Sequence, residues 1–506
     1  MNRLRQRTVA GLGWSGANQV IGQLLQLVFS ITLARMLSPA EFGLVGMIVV
    51  FTGFASNIAD LGLGASLIQR PSISESHLNA VFWLNVAMGA LLTLLLSAAA
   101  PIIAGFYGDP RLQLLTMAVA GTVLLGSLSA VQGALLSKSI DFRRRFLVDI
   151  VATAVSGTVA VGLALAGAGV WSLVAQSLAL PAVRSGLLWW GTPWRPRWSL
   201  EMTAVKDLRR WARHMTLFNI VIYWENNVEK MAIGRLLGSA PLGIYNVAER
   251  IMRIPSTNVT ATASNVMFPA VSLIQQDIES VRRVYLKSNR LIAAATFPAM
   301  VGLMMLAEPT ILALLGPKWR SSIVLLQLLC LAGLAQSAYN TAGWIYLSYG
   351  RPDLLLRASL FAFAARVAGV FIGLPWGIVG VVSAYVVGVY ACVLYTTWSP
   401  AGRLIGLRVI EVMRNLAEPL FCAAGMGLVV CATDWWLREA QADWVRLTVG
   451  VPVGVISYSV LVRLFWIGGW HEIEDLLRGQ AQRDAVTDGG PPIAGPSPAT
   501  AIRSKE

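Results

Sequence analysis

The sequence predicts an all-α polytopic membrane protein of about 14 transmembrane helices, built as two pseudo-symmetric six-helix lobes plus a C-terminal helix pair. Three observations lead there: the composition, the spacing of apolar runs, and an internal similarity between the two halves. Of 506 residues, 56% are hydrophobic and only 13% charged, and the mean hydropathy is +0.63. A soluble chain carries about 25% charge. Apolar runs of about 20 residues recur, each long enough to cross ~30 Å of hydrocarbon. Because these runs are continuous and do not alternate, they exclude a transmembrane β-barrel.

Taken in order, Met1 to Arg7 is a basic start, and the run from Val9 to Met36 reads as a retained first helix, since it lacks a small-residue cleavage site. Further segments follow at 42–68, 78–106, 112–136, 146–167 and 169–191, which complete an N-lobe of residues 1–191. Residues 192–212 form a basic, tryptophan-rich connection, expected to lie on the cytoplasmic surface with Trp194, Trp198 and Trp211 at headgroup level. Ser199 or Thr203 can cap a short helix within it. The C-lobe, 213–399, holds segments at 213–237, 242–274, 288–316, 321–349, 354–374 and 377–398. A last pair at 413–433 and 444–467 lies within 400–469, and the polar tail 470–506, rich in Pro, Ala and Ser, is expected to be disordered.

The net charge of +14 would point to nucleic acid in a soluble protein. Here the basic residues fall in alternate connections, about 27 Lys and Arg on one side against 7 on the other when the N-terminus is placed inside. That asymmetry predicts both termini in the cytoplasm and no nucleic-acid partner. The four cysteines lie in apolar runs without metal-ligand spacing, and the three histidines are scattered. Neither a disulfide framework, nor a metal site, nor a cofactor is expected.

Residues 31–43 (ITLARMLSPAEFG) align without a gap to 231–243 (MAIGRLLGSAPLG), matching Arg35 to Arg235, Leu37 to Leu237, Ala40 to Ala240 and Gly43 to Gly243. A weaker pair, GVWSLVA (169–175) and GIVGVVS (377–383), falls at the start of the sixth helix of each half. An even number of helices per half gives both the same orientation, the parallel-repeat plan of transporters that bind between lobes and alternate access.

Charges within the apolar runs mark the candidate site, since each is costly at bilayer depth. On a continuous helical wheel, Glu225, Asn226, Glu229, Lys230, Asn219 and Tyr223 share one face of the seventh helix, which would then line a cavity. Asn246, Glu249, Arg250 and Arg253 form an i, i+3, i+4, i+7 stripe on the eighth, which Pro255 is expected to interrupt. Arg290 opens the ninth helix and Arg366 lies within the eleventh. The first lobe is milder, with Gln23, Gln26, Asn57, Asp60, Asp149 and Gln176. Arg250, Arg253, Arg290 and Lys230 are expected to line the substrate cavity, and the planar, permanently charged guanidinium of the arginines is suited to phosphate. Asn226, Asn246, Asn219 and Asn57 are the candidate sugar ligands, while Asp60, Glu225 and Glu229 are candidates for H⁺ or Na⁺ coupling. The plainer reading pairs Glu249 with Arg253, pairs Glu225 or Glu229 with Lys230, and lets Arg35 and Arg235 snorkel to the interface.

The stretches LARMLSPAEFGLVGM (33–47), DLGLGASLIQR (60–70), LLSKSIDFRRRF (135–146), IGRLLGSAPLGIYNVAERIMRIP (233–255) and FPAVSLIQQD (268–277) together resemble the polysaccharide and O-antigen repeat-unit flippases of the multidrug/oligosaccharidyl-lipid/polysaccharide exporter superfamily, in the branch similar to the colanic acid exporter. The resemblance spans the chain to about residue 400. It implies a non-enzymatic exporter that moves undecaprenyl-diphosphate-linked oligosaccharide across the bacterial inner membrane, working beside a polymerase and export machinery. Two alternatives stand against it. A multidrug antiporter would want carboxylates without competing arginines, and a polysaccharide polymerase or ligase would want a large catalytic outside loop, where these connections are short.

Overall fold

The computed structural model describes residues 2–59, 67, 74–139, 141–198, 220–339, 342–398, 404–439 and 441–465. Among them all regular structure is helical. The first half contains α1 (Asn2–Met36), α2 (Pro39–Ala59), α3 (Glu75–Tyr107), α4 (Arg111–Ser127), α5 (Ala130–Lys138), α6 (Phe142–Leu165) and α7 (Val170–Gly191). A helical piece at 220–225 precedes α8 (Val228–Leu237), α9 (Ser239–Leu273), α10 (Ile278–Met305), α11 (Ala307–Leu314) and α12 (Ser322–Tyr339). The chain continues with α13 (Ala342–Ser348), α14 (Pro352–Gly373), α15 (Gly377–Trp398), α16 (Val409–Leu437) and α17 (Asp443–Phe465).

Each apolar segment expected from sequence overlaps a helix or a helix pair. Seven of the described helices are long and apolar enough to cross a membrane, or nine if two bent pairs each count as one span. The protein is a multi-pass membrane protein. The bent pairs are α4–α5, at 40°, and α10–α11, at 71°.

Polar side chains fix several helix starts. Asp141 accepts from the Arg144 amide at 3.1 Å, and Asp277 accepts from the amides of Glu279 and Ser280, both at 3.1 Å. These are N-caps that satisfy donors with no intrahelical partner. At the far end of α3, Gly108 takes φ 73°, the left-handed C-cap geometry.

Two expectations about helix continuity are corrected. The seventh segment is not one helix: it ends at 225, turns at Asn226–Asn227, and restarts at Val228. The eighth is not interrupted, since α9 runs unbroken through Pro255. Proline removes one amide without preventing membrane helices from continuing, whereas two asparagines offer side chains that compete for the preceding carbonyls. The expected cap residues Ser199 and Thr203, together with Trp211 and the tail from 470, lie outside the described residues.

Helices α1–α7 pack chiefly among themselves, as do α8–α15, and α2 and α9 join the two groups side by side. Their junction is backbone against backbone. A Cβ on Gly43 would lie 1.7 Å from the Ser239 carbonyl oxygen, and one on Gly243 would lie 1.8 Å from the Pro39 carbonyl oxygen. In the repeat alignment Gly43 matches Gly243 and Pro39 matches Ser239, so the contact is reciprocal, as a two-fold relation between repeats requires.

Around this seam the groups interlock. Trp319 donates to the Ala34 carbonyl at 2.8 Å and meets Phe42 edge-on at 5.4 Å. Arg35 does not simply snorkel: it donates to the carbonyls of Ala313 and Leu314, a cation at the C-terminus of α11. Its counterpart Arg235 lies 5.5 Å above the Phe106 ring.

The last two helices, α16 and α17, are fastened to the second group. Arg446, whose side chain is 4% exposed, meets Asp434 at 2.7 Å, Asp443 at 3.0 Å and Glu308 at 3.3 Å. Toward the other end, Tyr458 donates to the Ala294 carbonyl at 2.8 Å and Asn415 to the Leu286 carbonyl at 2.9 Å.

Candidate functional site

A cavity of about 670 Å³ lies between the two helix groups, within the ordinary range for ligand sites. Side chains of α1, α2, α6 and α7 line one wall; Asn226, Asn227, Lys230 and residues of α9 line the other. The first wall supplies neutral polar groups, among them Gln23, Gln26, Ser30 and Gln176. The second supplies the charge: Lys230, Arg250 and Arg253 against the single carboxylate of Glu249. Three cations to one anion leave the lining electropositive.

The distribution of partners separates these cations. Buried Glu249 receives Lys230 at 2.9 Å and Arg253 at 2.8 Å, so the i,i+4 pairing read from sequence is present, but Lys230 pairs with Glu249 and not with Glu225 or Glu229. Arg250 is exposed to the cavity and donates to the Ser30 hydroxyl across it, at 2.8 Å. Among the described residues it has no carboxylate within ion-pairing distance. Neutral serine holds the guanidinium in place without cancelling its charge.

Gly46 and Asn246, again at equivalent places in the two copies of the repeat, meet between α2 and α9: a Cβ on Gly46 would lie 2.2 Å from the Asn246 amide nitrogen. The missing side chain makes room for that amide at the cavity wall.

Glu225 and Glu229, expected to line the same face as Lys230, are turned away from this cavity by the break at Asn226–Asn227. Both are buried and face Arg366 of α14, at 3.8 and 3.5 Å respectively. A smaller cavity of about 250 Å³ inside the second group is lined by Glu225, Asn226, Arg253, Gln336, Ser359 and Arg366 among others. Asn226 and Arg253 line both spaces.

Arg290, expected in the cavity, lies elsewhere. The helix bearing it begins at Ile278, well ahead of the apolar run that starts at 288, and the side chain reaches Glu418 of α16 at 2.7 Å. Asn57 is exposed on α2 and lines neither space. Asn219 and Asp60 lie outside the described residues. No group of three or more His, Cys, Asp or Glu with metal-holding geometry occurs among the described residues. Ser30 is not singled out by sequence; its polarity is ordinary, and only the fold turns it inward.

Comparisons with known proteins fit this architecture. A family profile described as "Polysaccharide biosynthesis protein" matches residues 32–324, more than half of the chain. The chain is 27% identical to the teichuronic acid biosynthesis protein TuaB of Bacillus subtilis, covering 91% of this chain and 96% of that one. It is 28% identical to the lipopolysaccharide biosynthesis protein WzxC of Escherichia coli, over 73% and 76%. The succinoglycan biosynthesis transport protein ExoT of Rhizobium meliloti is 26% identical, over 94% and 96%. Among solved structures, the lipid II flippase MurJ in an inward closed conformation superposes with a TM-score of 0.72 at 14% identity, covering 90% of this chain and 99% of that one. An inward-facing multidrug resistance transporter of the MATE family gives 0.60 at 15%, over 79% and 98%. The similarity to solved structures establishes the fold, and the profile match the kinship: the chain belongs to the polysaccharide biosynthesis protein family.

Proposed function

We propose that the protein is a flippase that carries undecaprenyl-diphosphate-linked oligosaccharide units from the cytoplasmic to the outer leaflet of a bacterial inner membrane, with both termini in the cytoplasm. The observation that carries this reading is Arg250: a guanidinium facing the interlobe cavity, held by Ser30 and balanced by no carboxylate among the described residues. A diphosphate would supply the missing anion through charge-assisted, bidentate hydrogen bonds. Gln23, Gln26, Gln176, Asn226, Asn227 and Asn246 offer paired donors and acceptors suited to sugar hydroxyls. The lining favours an anionic headgroup over a cationic drug, because an organic cation would meet three positive side chains and one carboxylate already doubly paired. The relatives, two of them biosynthesis proteins and one a transport protein by name, concern teichuronic acid, lipopolysaccharide and succinoglycan. Transport then proceeds by the two helix groups rocking about the cavity, with no covalent step.

The test is delivery of a lipid-linked oligosaccharide to the far leaflet of reconstituted vesicles. Losing one charged hydrogen-bonding group removes about 1.5–3 kcal/mol, so Arg250→Ala should weaken apparent substrate affinity by about tenfold to a hundredfold. Full activity in a folded Arg250→Ala protein would remove the phosphate role.

A further inference from the structure

The break in the seventh segment is held from the outside. At Asn226–Asn227 the chain satisfies three of its own carbonyls. Asn226 Nδ2 donates to Ile222 O and Asn227 Nδ2 to Tyr223 O, both at 2.8 Å, and the Asn227 amide donates to Trp224 O at 3.2 Å. The next carbonyl, that of Glu225, accepts from Arg366 Nη1 at 2.5 Å. The same guanidinium faces the carboxylate of Glu225, the last residue before the turn, at 3.8 Å, and that of Glu229, in the first turn after it, at 3.5 Å. Arg366 therefore contacts both pieces of the broken helix and the backbone between them.

Its own position is fixed. The side chain is 12% exposed and its guanidinium carbon lies 5.4 Å from the centre of the Tyr385 ring, whose hydroxyl accepts from Gln336 at 2.7 Å. Glu229 depends on it in turn: this carboxylate is 4% exposed in its side chain, and its Oε2 is buried with no hydrogen-bond partner among the described residues.

The geometry points to Arg366 as a positioning residue: it clamps the two halves of the seventh segment across the break and so turns Asn226, Asn227 and Lys230 into the interlobe cavity. It does not line that cavity itself. This role rests on the reading of the cavity as the substrate site only insofar as it concerns binding; the clamp is a property of the chain alone. An unbroken helix would keep Glu225, Asn226 and Lys230 on a common face. The clamp separates the charges, sending the two glutamates into the second helix group and Asn227 and Lys230 to the interlobe cavity, with Asn226 bordering both spaces.

Two readouts on the full-length protein test this. The first follows the break: the rate at which a membrane-impermeant maleimide labels a cysteine placed by Asn227→Cys, with and without Arg366→Ala, corrected for the chain lacking that cysteine. The second is binding of farnesyl diphosphate, a soluble prenyl diphosphate probe. Arg366→Ala should change the labelling rate several-fold and weaken probe binding to about the extent of Arg250→Ala. Millimolar guanidinium ion should restore both in Arg366→Ala while leaving Arg250→Ala unrestored for binding, because only the first vacates a site enclosed by two carboxylates.

A folded Arg366→Ala protein with unchanged labelling would overturn the assignment, as would restoration of neither readout by guanidinium. If Arg366→Ala does not fold, Arg366→Lys decides. One ammonium cannot span both carboxylates and the Glu225 carbonyl, so unchanged labelling in it would equally overturn the clamp. Absence of probe binding in the unaltered chain would count against the diphosphate reading alone, and labelling would still decide the role of Arg366.

Discussion

Arginines of similar sequence context serve three different ends in this protein, and only contacts distant in sequence tell them apart. Arg250 faces a cavity with a serine for its partner, Arg366 joins two pieces of helix, and Arg446 ties the C-terminal pair to the rest. The stripe on one helix face is enough to locate the first. Local pattern places Arg446 among the outside connections, where a solvated charge is the ordinary outcome, because Glu308, 138 residues away, is invisible from it. Removing one partner from a buried ion cluster leaves uncompensated charge, typically at a cost of about 3–5 kcal/mol. Arg446→Ala should therefore lower the melting temperature of the detergent-solubilised protein markedly, whereas Arg283→Ala, whose pairing with Glu279 is exposed at both ends, should leave it nearly unchanged. Equal melting temperatures for the two variants would show that the Arg446 cluster contributes little.

Whole elements are legible wherever hydropathy alone decides them, and misjudged where two local preferences compete. A wheel drawn through residues 219–232 assumes one continuous helix, so it assigns Glu225 and Glu229 to the same cavity as Lys230. The Asn226–Asn227 pair is the available signal, since amide side chains readily bond to preceding carbonyls. Pro255 misleads in the opposite sense, because a proline within a membrane helix need not end it.

The α2–α9 seam belongs to this scale too. With the Cβ positions of Gly43 and Gly243 only 1.7 and 1.8 Å from a carbonyl oxygen, even alanine demands that the helices separate. Gly43→Ala should displace the two groups at this end. Electron-spin distances between labels replacing Arg111 and Arg320, 65% and 72% exposed, should lengthen. An unaltered distance would mean that the helices accommodate the methyl by local adjustment.

At the level of the molecule, composition and run length are enough for the membrane and helical character, and the gapless match of 31–43 to 231–243 hints at the pairing of halves. What sequence does not contain is how the halves meet. The aligned glycines look like loop punctuation, yet Gly43, Gly46 and Gly243 sit where two helices approach more closely than side chains allow, each against a partner on the other half. The electropositive lining likewise arises only when α9 is set opposite the amide-bearing face of α1.

The reciprocal seam has one more consequence, for inheritance. Because each copy of the repeat supplies a glycine to the other copy's carbonyl, the two positions guard a single closure and cannot drift separately. A change at either already forfeits the joint contact, leaving the second change little more to spoil. Gly43→Ala and Gly243→Ala combined should thus lengthen the spin-label distance no more than the larger single effect, a strongly sub-additive coupling between sites in opposite halves of the chain; additive lengthening would show two independent contacts.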